Sequence, residues 1–328
     1  MSILVCGGAG YIGSHMVSKI LENGQDVVIL DNLQKGHKDA ILSDKVYIGD
    51  LRDRKILDKI FTENNIEAVI DFAADSLVGE SMEDPLKYFN NNVGGTISLL
   101  TAMKDYKVNY IVFSSTAATY GEPENIPILE EDATIPTNPY GETKLTVEKI
   151  LKWCDKAYGI KYTALRYFNA AGAHMDGNIG EDHKPESHLI PIILQVALGQ
   201  REKIMIFGDD YPTEDGTCVR DYIHVTDLAD AHLCALNRLK NGGNSSSYNL
   251  GNGKGFSVKQ VIDVARKVTE VDIKAQIAPR RPGDPAILIA SSDKAIKELN
   301  WQLKYNSLEK IIETAWKWHK NHPNGYKG

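Results

Sequence analysis

Tyr140 and Lys144 lie four positions apart in Pro139-Tyr140-Gly141-Glu142-Thr143-Lys144. That spacing puts both on one helix face, one turn apart. Asn138 and Pro139 suit a cap and a first helical residue. A tyrosine ordinarily titrates near pH ~10. A neighbouring ammonium favours the phenolate, which can take a proton from a hydroxyl group. Alone, the pair is a common solvated helix face. Three hydroxyl residues, Ser114, Ser115 and Thr116, follow the apolar run Tyr110–Phe113, which reads as a strand. Residues at the carboxyl end of such a strand face a ligand crevice. Thr116 is the hydroxyl expected to pass a proton between a bound substrate and Tyr140, with Ser115 beside it on the substrate.

Gly7-Gly8-Ala9-Gly10-Tyr11-Ile12-Gly13 supplies a G-x-x-G-x-x-G run between a strand and a helix. Gly7 and Gly10 permit a tight turn and close approach to a pyrophosphate, and Gly13 lets helix and strand pack closely. The helix start at Tyr11 and Ile12 offers free amides to phosphate. Asp31, with Asn32 after it, ends a second strand. Its carboxylate suits ribose hydroxyls and repels a 2′-phosphate, so NAD is expected rather than NADP. Asp50-Leu51 follows a third strand, where Asp50 can meet the adenine amino group or simply cap a helix. Phe72-Ala73-Ala74 follows a fourth, with side chains small enough for close passage of the cofactor. Asn91, Ser114, Tyr140, Lys144 and Tyr167 complete the expected cofactor contacts. The positive nicotinamide adds to the pull on the Tyr140 proton. Lys38 and Arg52 read as solvated.

The elements that must carry these residues alternate regularly. Strands are expected at Ser2–Cys6, Val27–Leu30, Val46–Ile48, Ala68–Phe72, Tyr110–Ser114 and Tyr162–Tyr167. Helices are expected at 11–23, Asp53–Phe61, Pro85–Tyr106 and Pro139–Ala157. This pattern is that of an α/β fold with a Rossmann-type, doubly wound parallel sheet over residues 1–170. Gly172–Ser187 reads as a polar loop. Helices near 188–199, 225–239, 257–270, 293–300 and 307–321 suggest a smaller α/β substrate domain over 171–328, with segments of 217–250 returning to the sheet. The 328 residues carry a net charge of -7, which argues against a nucleic-acid partner but leaves room for a local cationic pocket. No apolar run approaches the ~18 residues of a membrane span. The four cysteines are scattered, without a C-x-x-C pair, and the chain opens on a strand rather than a signal peptide. A cytoplasmic protein is expected.

With Gly7/Gly10/Gly13, Ser114–Thr116 and Tyr140/Lys144 in place, the chain resembles the extended short-chain dehydrogenase/reductase family. Longer runs resemble its sugar-nucleotide 4-epimerases: Val78-Gly79-Glu80-Ser81, Asn91-Asn92-Val93, Arg166–Asn169, Tyr211–Gly216, Val219–Val225 and Arg280-Arg281. The resemblance covers nearly the whole chain. It implies a UDP-hexose substrate, tightly held NAD and a homodimer through the helices near 85–106 and 139–157. It further implies that Asn169, His188 and Leu189 contact the UDP end and that Phe207 lies against the uracil. By the same resemblance Arg220 and Arg281 grip the diphosphate, as guanidinium forks suit, and Asp284 bonds the uridine ribose. His224, beside Asp221, reads as structural. Departures from the pattern are Thr116 for a serine, Ser76 for a lysine, His188 for an asparagine and Ile287 for a bulky tyrosine that walls the sugar. The last would open room for an N-acetyl group, so activity on UDP-N-acetylhexosamines is the main alternative.

The implied chemistry is C4 inversion through a 4-keto sugar, with Tyr140 exchanging the hydroxyl proton directly or through Thr116. A 4,6-dehydratase needs an added acid and base after the threonine, and a decarboxylase commonly carries a nearby glutamate. Ala117 and Ala118 occupy those positions. A non-catalytic NAD-binding scaffold is the reading from another class, opposed by the intact Tyr140 and Lys144. His174, His183 and His188 fit no compact metal spacing, so no metal is expected.

Overall fold

The structure is a computed structural model describing residues 1–281 and 284–327. The first half folds as β1 (Ser2–Cys6), α1 (Tyr11–Glu22), β2 (Asp26–Asp31), β3 (Val46–Ile48), α2 (Arg54–Glu63), β4 (Ile66–Asp71), α3 (Val78–Glu83), α4 (Pro85–Tyr88), α5 (Gly95–Asp105), β5 (Tyr110–Thr116), α6 (Pro139–Tyr158) and β6 (Lys161–Tyr167). The second half adds β7 (Asn169–Ala171), α7 (Leu189–Ala197), β8 (Ile204–Phe207), β9 (Val219–Arg220), β10 (Tyr222–His224), α8 (Val225–Lys240) and β11 (Ser246–Leu250). It ends with β12 (Phe256–Ser257), α9 (Val258–Thr269), β13 (Ala275–Ala278), β14 (Ile287–Leu288), α10 (Asp293–Leu299) and α11 (Leu308–Asn321). Among the described residues no helix is long and apolar enough to cross a membrane.

Seven strands form one sheet in the order β11-β6-β5-β4-β1-β2-β3, every pair parallel. The order reverses between β1 and β4, which opens a crevice at the carboxyl ends of those strands. Successive side chains of a strand point to opposite faces. Ile3 and Val5 therefore pack with Met16 and Val17 of α1 and Leu228 and Leu236 of α8. Leu4 and Cys6 pack with Leu57 of α2, Leu99 of α5 and Leu151 of α6. Helices on both faces explain why β1 is buried along its whole length. A separate apolar core joins Ile193 of α7, Ile206 of β8, Ile262 of α9 and Ile312 of α11.

The chain passes between these cores repeatedly. Tyr167 belongs to the sheet core, Ala171 and Tyr222 to the separate one, and Ile223 and Leu250 to the sheet again. Val261 and Ile273 are back in the separate core, Ala295 and Trp301 in the sheet core, and Leu308 in the separate one. The return through Ala295–Trp301 has no counterpart in the sequence reading. The Trp301 indole donates to the Asp227 carbonyl of α8 at 2.9 Å. The helix expected over Pro85–Tyr106 is also interrupted, by a π-helical stretch at Phe89–Gly94 between α4 and α5. Such a wide turn is frequent at functional sites. Here it carries Asn91 and Asn92, both bonded to Asp75.

Candidate active site

The β1–α1 turn needs its glycines. Gly7 has φ +77, in the left-handed region. A Cβ on Gly13 would stand 2.0 Å from the Gly7 carbonyl oxygen. Gly10 caps α1 without a side-chain bond over the first amides. This cradle opens into a cavity of about 110 Å³ reached by Asp31, Asn32, Asp50 and Leu51 on one side. Phe72, Ala73, Ala74 and Asn91 reach it from the other. Asp31 is buried, and its two oxygens accept from the amides of Ala9 (2.9 Å) and Leu33 (2.8 Å). A carboxylate has about four lone-pair sites, so capacity remains for ribose hydroxyls. Burial pushes the Asp31 carboxyl up, and the two amides oppose this.

Asp50 is held by the Arg52 guanidinium at 2.8 and 2.6 Å, which pulls its carboxyl down to about 2. Arg52 is therefore not merely solvated. The cap of α2 is Asp53, accepting from the Lys55 amide, so the capping role considered for Asp50 falls to its neighbour. Asp75, buried between Asn91 and Asn92, also lines the crevice. No motif in the sequence marked it.

A second cavity, about 380 Å³, runs from Gly7, Tyr11, Ile12 and Gly13 to Ser114, Thr116, Tyr140, Lys144 and Tyr167. Lys144 is 3% exposed, donates to the Ser114 carbonyl at 2.9 Å and stands 4.9 Å from the Phe113 ring centre. Burial lowers its ammonium to about 8, and the buried Asp71 carboxylate opposes this. Asp71 itself is raised by burial to about 6, with Lys144 opposing. One Asp71 oxygen accepts from the Ala73 amide at 3.1 Å, and the other has no hydrogen-bond partner. Ser114 is bonded to the Tyr167 hydroxyl.

Two expectations change here. Ser115 does not reach the substrate crevice. Strand alternation turns it away from Ser114 and Thr116, and its hydroxyl donates to Glu148 in the interior. The Tyr140 phenol is not lowered by the protein's own groups. Burial raises it, a hydrogen bond with Thr116 opposes that, and the Lys144 ammonium stands 6.0 Å from the ring centre.

Glu148 pins the whole arrangement. It lies one turn beyond Lys144 and two beyond Tyr140 on α6. Its carboxylate accepts from Arg166 Nε of β6 at 3.0 Å as well as from Ser115. Arg166 also donates to Tyr120 at 2.8 Å, and Tyr120 to Asn249 at 2.7 Å. Lys144 and Glu148 thus hold Ser114 and Ser115 of β5 in turn.

A third cavity, about 420 Å³, is lined by Asn169, His188, Leu189 and Phe207 together with Arg220, Arg281 and Asp284. All the residues expected at the UDP end therefore meet, although they come from five separate segments. Asn169, His188 and Leu189 also line the cavity of Tyr140, so the two are continuous. The Arg281 guanidinium stacks on Phe207, 4.1 Å from its ring centre. Asp284 is bonded to Arg220. Arg201 and Lys203, unremarked in the sequence, add two cations to the lining. Ile287, expected to wall the sugar, instead lines a surface cavity with Glu122, Pro212 and Arg280, because β14 pairs it with Val219. Ser76 and Leu77 line the Tyr140 cavity. His224 is buried, accepts from the Thr226 amide at 3.1 Å and meets Thr314 at 2.9 Å. Burial lowers it to about 3, which keeps it neutral and structural.

His183 and His188 come together with Glu181 and Glu186, each with one ligand-type atom within 4.8 Å of the others. His174 stands apart, 3.2 Å from Glu22. The sequence spacing had argued against any such grouping, which arises because the loop folds back on itself.

A glycine-cradled crevice at the reversal point of a parallel sheet, joined to a buried tyrosine–lysine centre, defines a dinucleotide-dependent α/β enzyme that moves protons at a hydroxyl. The profile of the NAD dependent epimerase/dehydratase family matches residues 3–251, and the chain belongs to that family. It is 64% identical over 326 residues to a UDP-glucose 4-epimerase of Halalkalibacterium halodurans, covering 99% of this chain and 98% of that one. A crystal structure of UDP-glucose 4-epimerase superposes with a TM-score of 0.98 at 59% identity, covering 100% of both chains. The UDP-glucose 4-epimerase of Brucella ovis in complex with NAD superposes with a TM-score of 0.94 at 45% identity, covering 96% of this chain and 97% of that one. NAD is the cofactor, and the open glycine cradle and the remaining lone pairs of Asp31 fit it.

Proposed function

We propose that the protein interconverts UDP-glucose and UDP-galactose by inverting C4. The observation that carries this is the continuity of two cavities, one holding Thr116, Tyr140 and Lys144 and the other Arg220 and Arg281. A sugar nucleotide anchored by its diphosphate would reach the tyrosine with its hexose. Bound NAD would accept the C4 hydride and give it back, and its cationic ring would favour the Tyr140 phenolate. Arg220, Arg281 and the stacked Phe207 hold the UDP. Thr116 relays the C4 hydroxyl proton to Tyr140, and Lys144, fixed on the Ser114 carbonyl, keeps a positive charge nearby. The flat 4-keto sugar turns about its link to the diphosphate and offers its other face to the returning hydride, and Tyr140 gives the proton back to the C4 oxygen. Ala117 and Ala118 leave no side-chain acid or base beside Thr116, which sets the reading apart from a dehydratase. On this reading residues 1–170, with returning segments within 217–250, form the NAD domain, and the rest of 171–328 supplies the UDP-sugar side.

A homodimer fits the same reading. Phe89 and Ile97 on the interrupted helix and Trp153 on α6 are exposed apolar side chains, on the two helices expected to pair. A cytoplasmic setting is supported by four free cysteines.

Product analysis with UDP-galactose and no added cofactor tests the proposal. Conversion to UDP-glucose by the parent, with a kcat some 10²–10⁴-fold lower in Tyr140→Phe at unchanged NAD content, is the expected result. No conversion even with NAD added would refute it. Parallel conversion of UDP-N-acetylgalactosamine would widen the substrate range to 2-acetamido sugars.

A further inference from the structure

The loop between β7 and α7 gathers two imidazoles and two carboxylates with no part in the mechanism above. Glu181, His183, Glu186 and His188 each present one ligand-type atom, and these atoms all lie within 4.8 Å of one another. Among the described residues no other group of three or more His, Cys, Asp or Glu side chains converges in this way. His183 Nδ1 lies 3.2 Å from Glu181 Oε1 and 3.8 Å from Glu186 Oε2. His188 Nδ1 is bonded to the same Glu181 oxygen. The tetrahedral ligands of a zinc ion at ~2.0–2.1 Å stand roughly 3.3 Å from each other. The separations given lie on either side of that value, and none among the four atoms exceeds 4.8 Å.

Hydrogen bonding accounts for only part of the grouping, through His188 on Glu181 and the Ser187 and His188 amides on Glu186. His183 Nδ1 is buried and makes no hydrogen bond, although two carboxylate oxygens approach it. A buried ring nitrogen turned toward two carboxylate oxygens, out of line for a hydrogen bond, stands where a metal ligand would. Glu181 is 4% exposed, and its carbonyl accepts from the Trp318 indole of α11 at 3.1 Å. The floor of the cluster is thus fixed to α11, through Trp318. The donor set, two imidazole nitrogens with two carboxylate oxygens, suits zinc and neighbouring divalent transition metals. The two carboxylates would balance the charge of the ion.

We propose that Glu181, His183, Glu186 and His188 form a site for one divalent transition-metal ion, with zinc the best match. Four protein ligands close the coordination shell, so the ion is structural rather than catalytic. It fixes the loop that walls the Tyr140 cavity and sets the start of α7, whose first residue, Leu189, borders both cavities. His188 would bind through Nδ1, which leaves its Nε2 available to the cleft. The site does not depend on which sugar nucleotide the cleft accepts.

The test uses the full-length, tag-free protein with NAD bound, stripped with a chelator and titrated with zinc chloride by calorimetry. Trp318 fluorescence is followed in parallel. Saturation near one zinc per chain, with affinity at least tenfold weaker in His183→Ala/His188→Ala, supports the site. So does an anomalous difference peak at the zinc edge between the four side chains in crystals of the parent. No saturable binding, or equal binding by parent and double variant, overturns it, the latter placing the metal on the cysteines or elsewhere. Should the double variant fail to fold by circular dichroism, the anomalous peak in the parent decides alone, and its absence from these four residues overturns the site.

Discussion

Replacing Glu148 with alanine tests whether the ion pair beneath the active site holds it together. Glu148 and Arg166 are each 6% exposed. The substitution would leave Arg166 buried with only Tyr120 and the Glu130 carbonyl to receive its donors. Breaking one side of a buried pair costs about 3–5 kcal/mol, because the surviving charge stays desolvated. An unfolding entropy of about 2.1 cal/mol/K per residue over 328 residues amounts to roughly 0.7 kcal/mol/K. The melting temperature is then expected to fall by about 4–7 °C at matched NAD content, read by differential scanning calorimetry. Glu148→Met/Arg166→Met removes both charges at similar volume and is expected to lose less than either single change. A drop under about 1 °C in Glu148→Ala is what a solvent-screened surface pair gives. That result, or a double variant worse than the sum of the singles, would refute the reasoning.

Three further outcomes follow from the site. Between pH about 6 and about 8 both Asp71 and Lys144 are charged, since burial raises the first to about 6 and lowers the second to about 8. Asp71→Asn removes the attraction that holds the Lys144 proton, so the alkaline limb of kcat against pH is expected to move down by about one unit; an unmoved limb assigns it to another group. Gly13→Ala places a Cβ 2.0 Å from the Gly7 carbonyl oxygen, so the purified protein is expected to lack NAD, and full NAD content by absorbance would show the turn can yield. Arg281→Ala is expected to raise the KM for UDP-galactose about 10–100-fold with kcat little changed, as for a lost charged hydrogen bond to the diphosphate. An unchanged KM would remove Arg281 from the UDP grip.

The parts of the molecule readable from the sequence are those set by local pattern. The glycine turn, the Asn138–Pro139 start of α6 and the alternation of strands and helices depend on neighbours within a few residues. The helix near 85–106 was legible in extent but not in its π-helical interruption, which serves Asp75, a residue that carries no periodic signal. The direction of Ser115 was legible, since strand alternation sets it opposite Ser114 and Thr116; what the sequence hides is its partner Glu148, 33 residues away. Tyr140 was expected to be lowered because spacing shows Lys144 nearby but not the burial that outweighs it. The UDP cleft came from resemblance alone, since its residues are brought together by β8, β9 and the separate core rather than by any spacing. The histidine loop misled in the opposite direction, as linear separation says little about a chain that doubles back.

The repeated passage of the chain between its two cores has a mechanical consequence. The connections after Tyr167, between Tyr222 and Ile223, after Leu250, before Ala295 and after Trp301 act as stitches across one seam. A swing about one linker, the usual way for a cleft to gape, would strain every other stitch. The motion left is a small slide of one core over the other, or movement of the loop at 172–187. A sugar nucleotide can slip in past such a loop while the dinucleotide keeps to its cradle on the sheet side. A reaction that begins and ends with the same oxidation state has no need for it to leave.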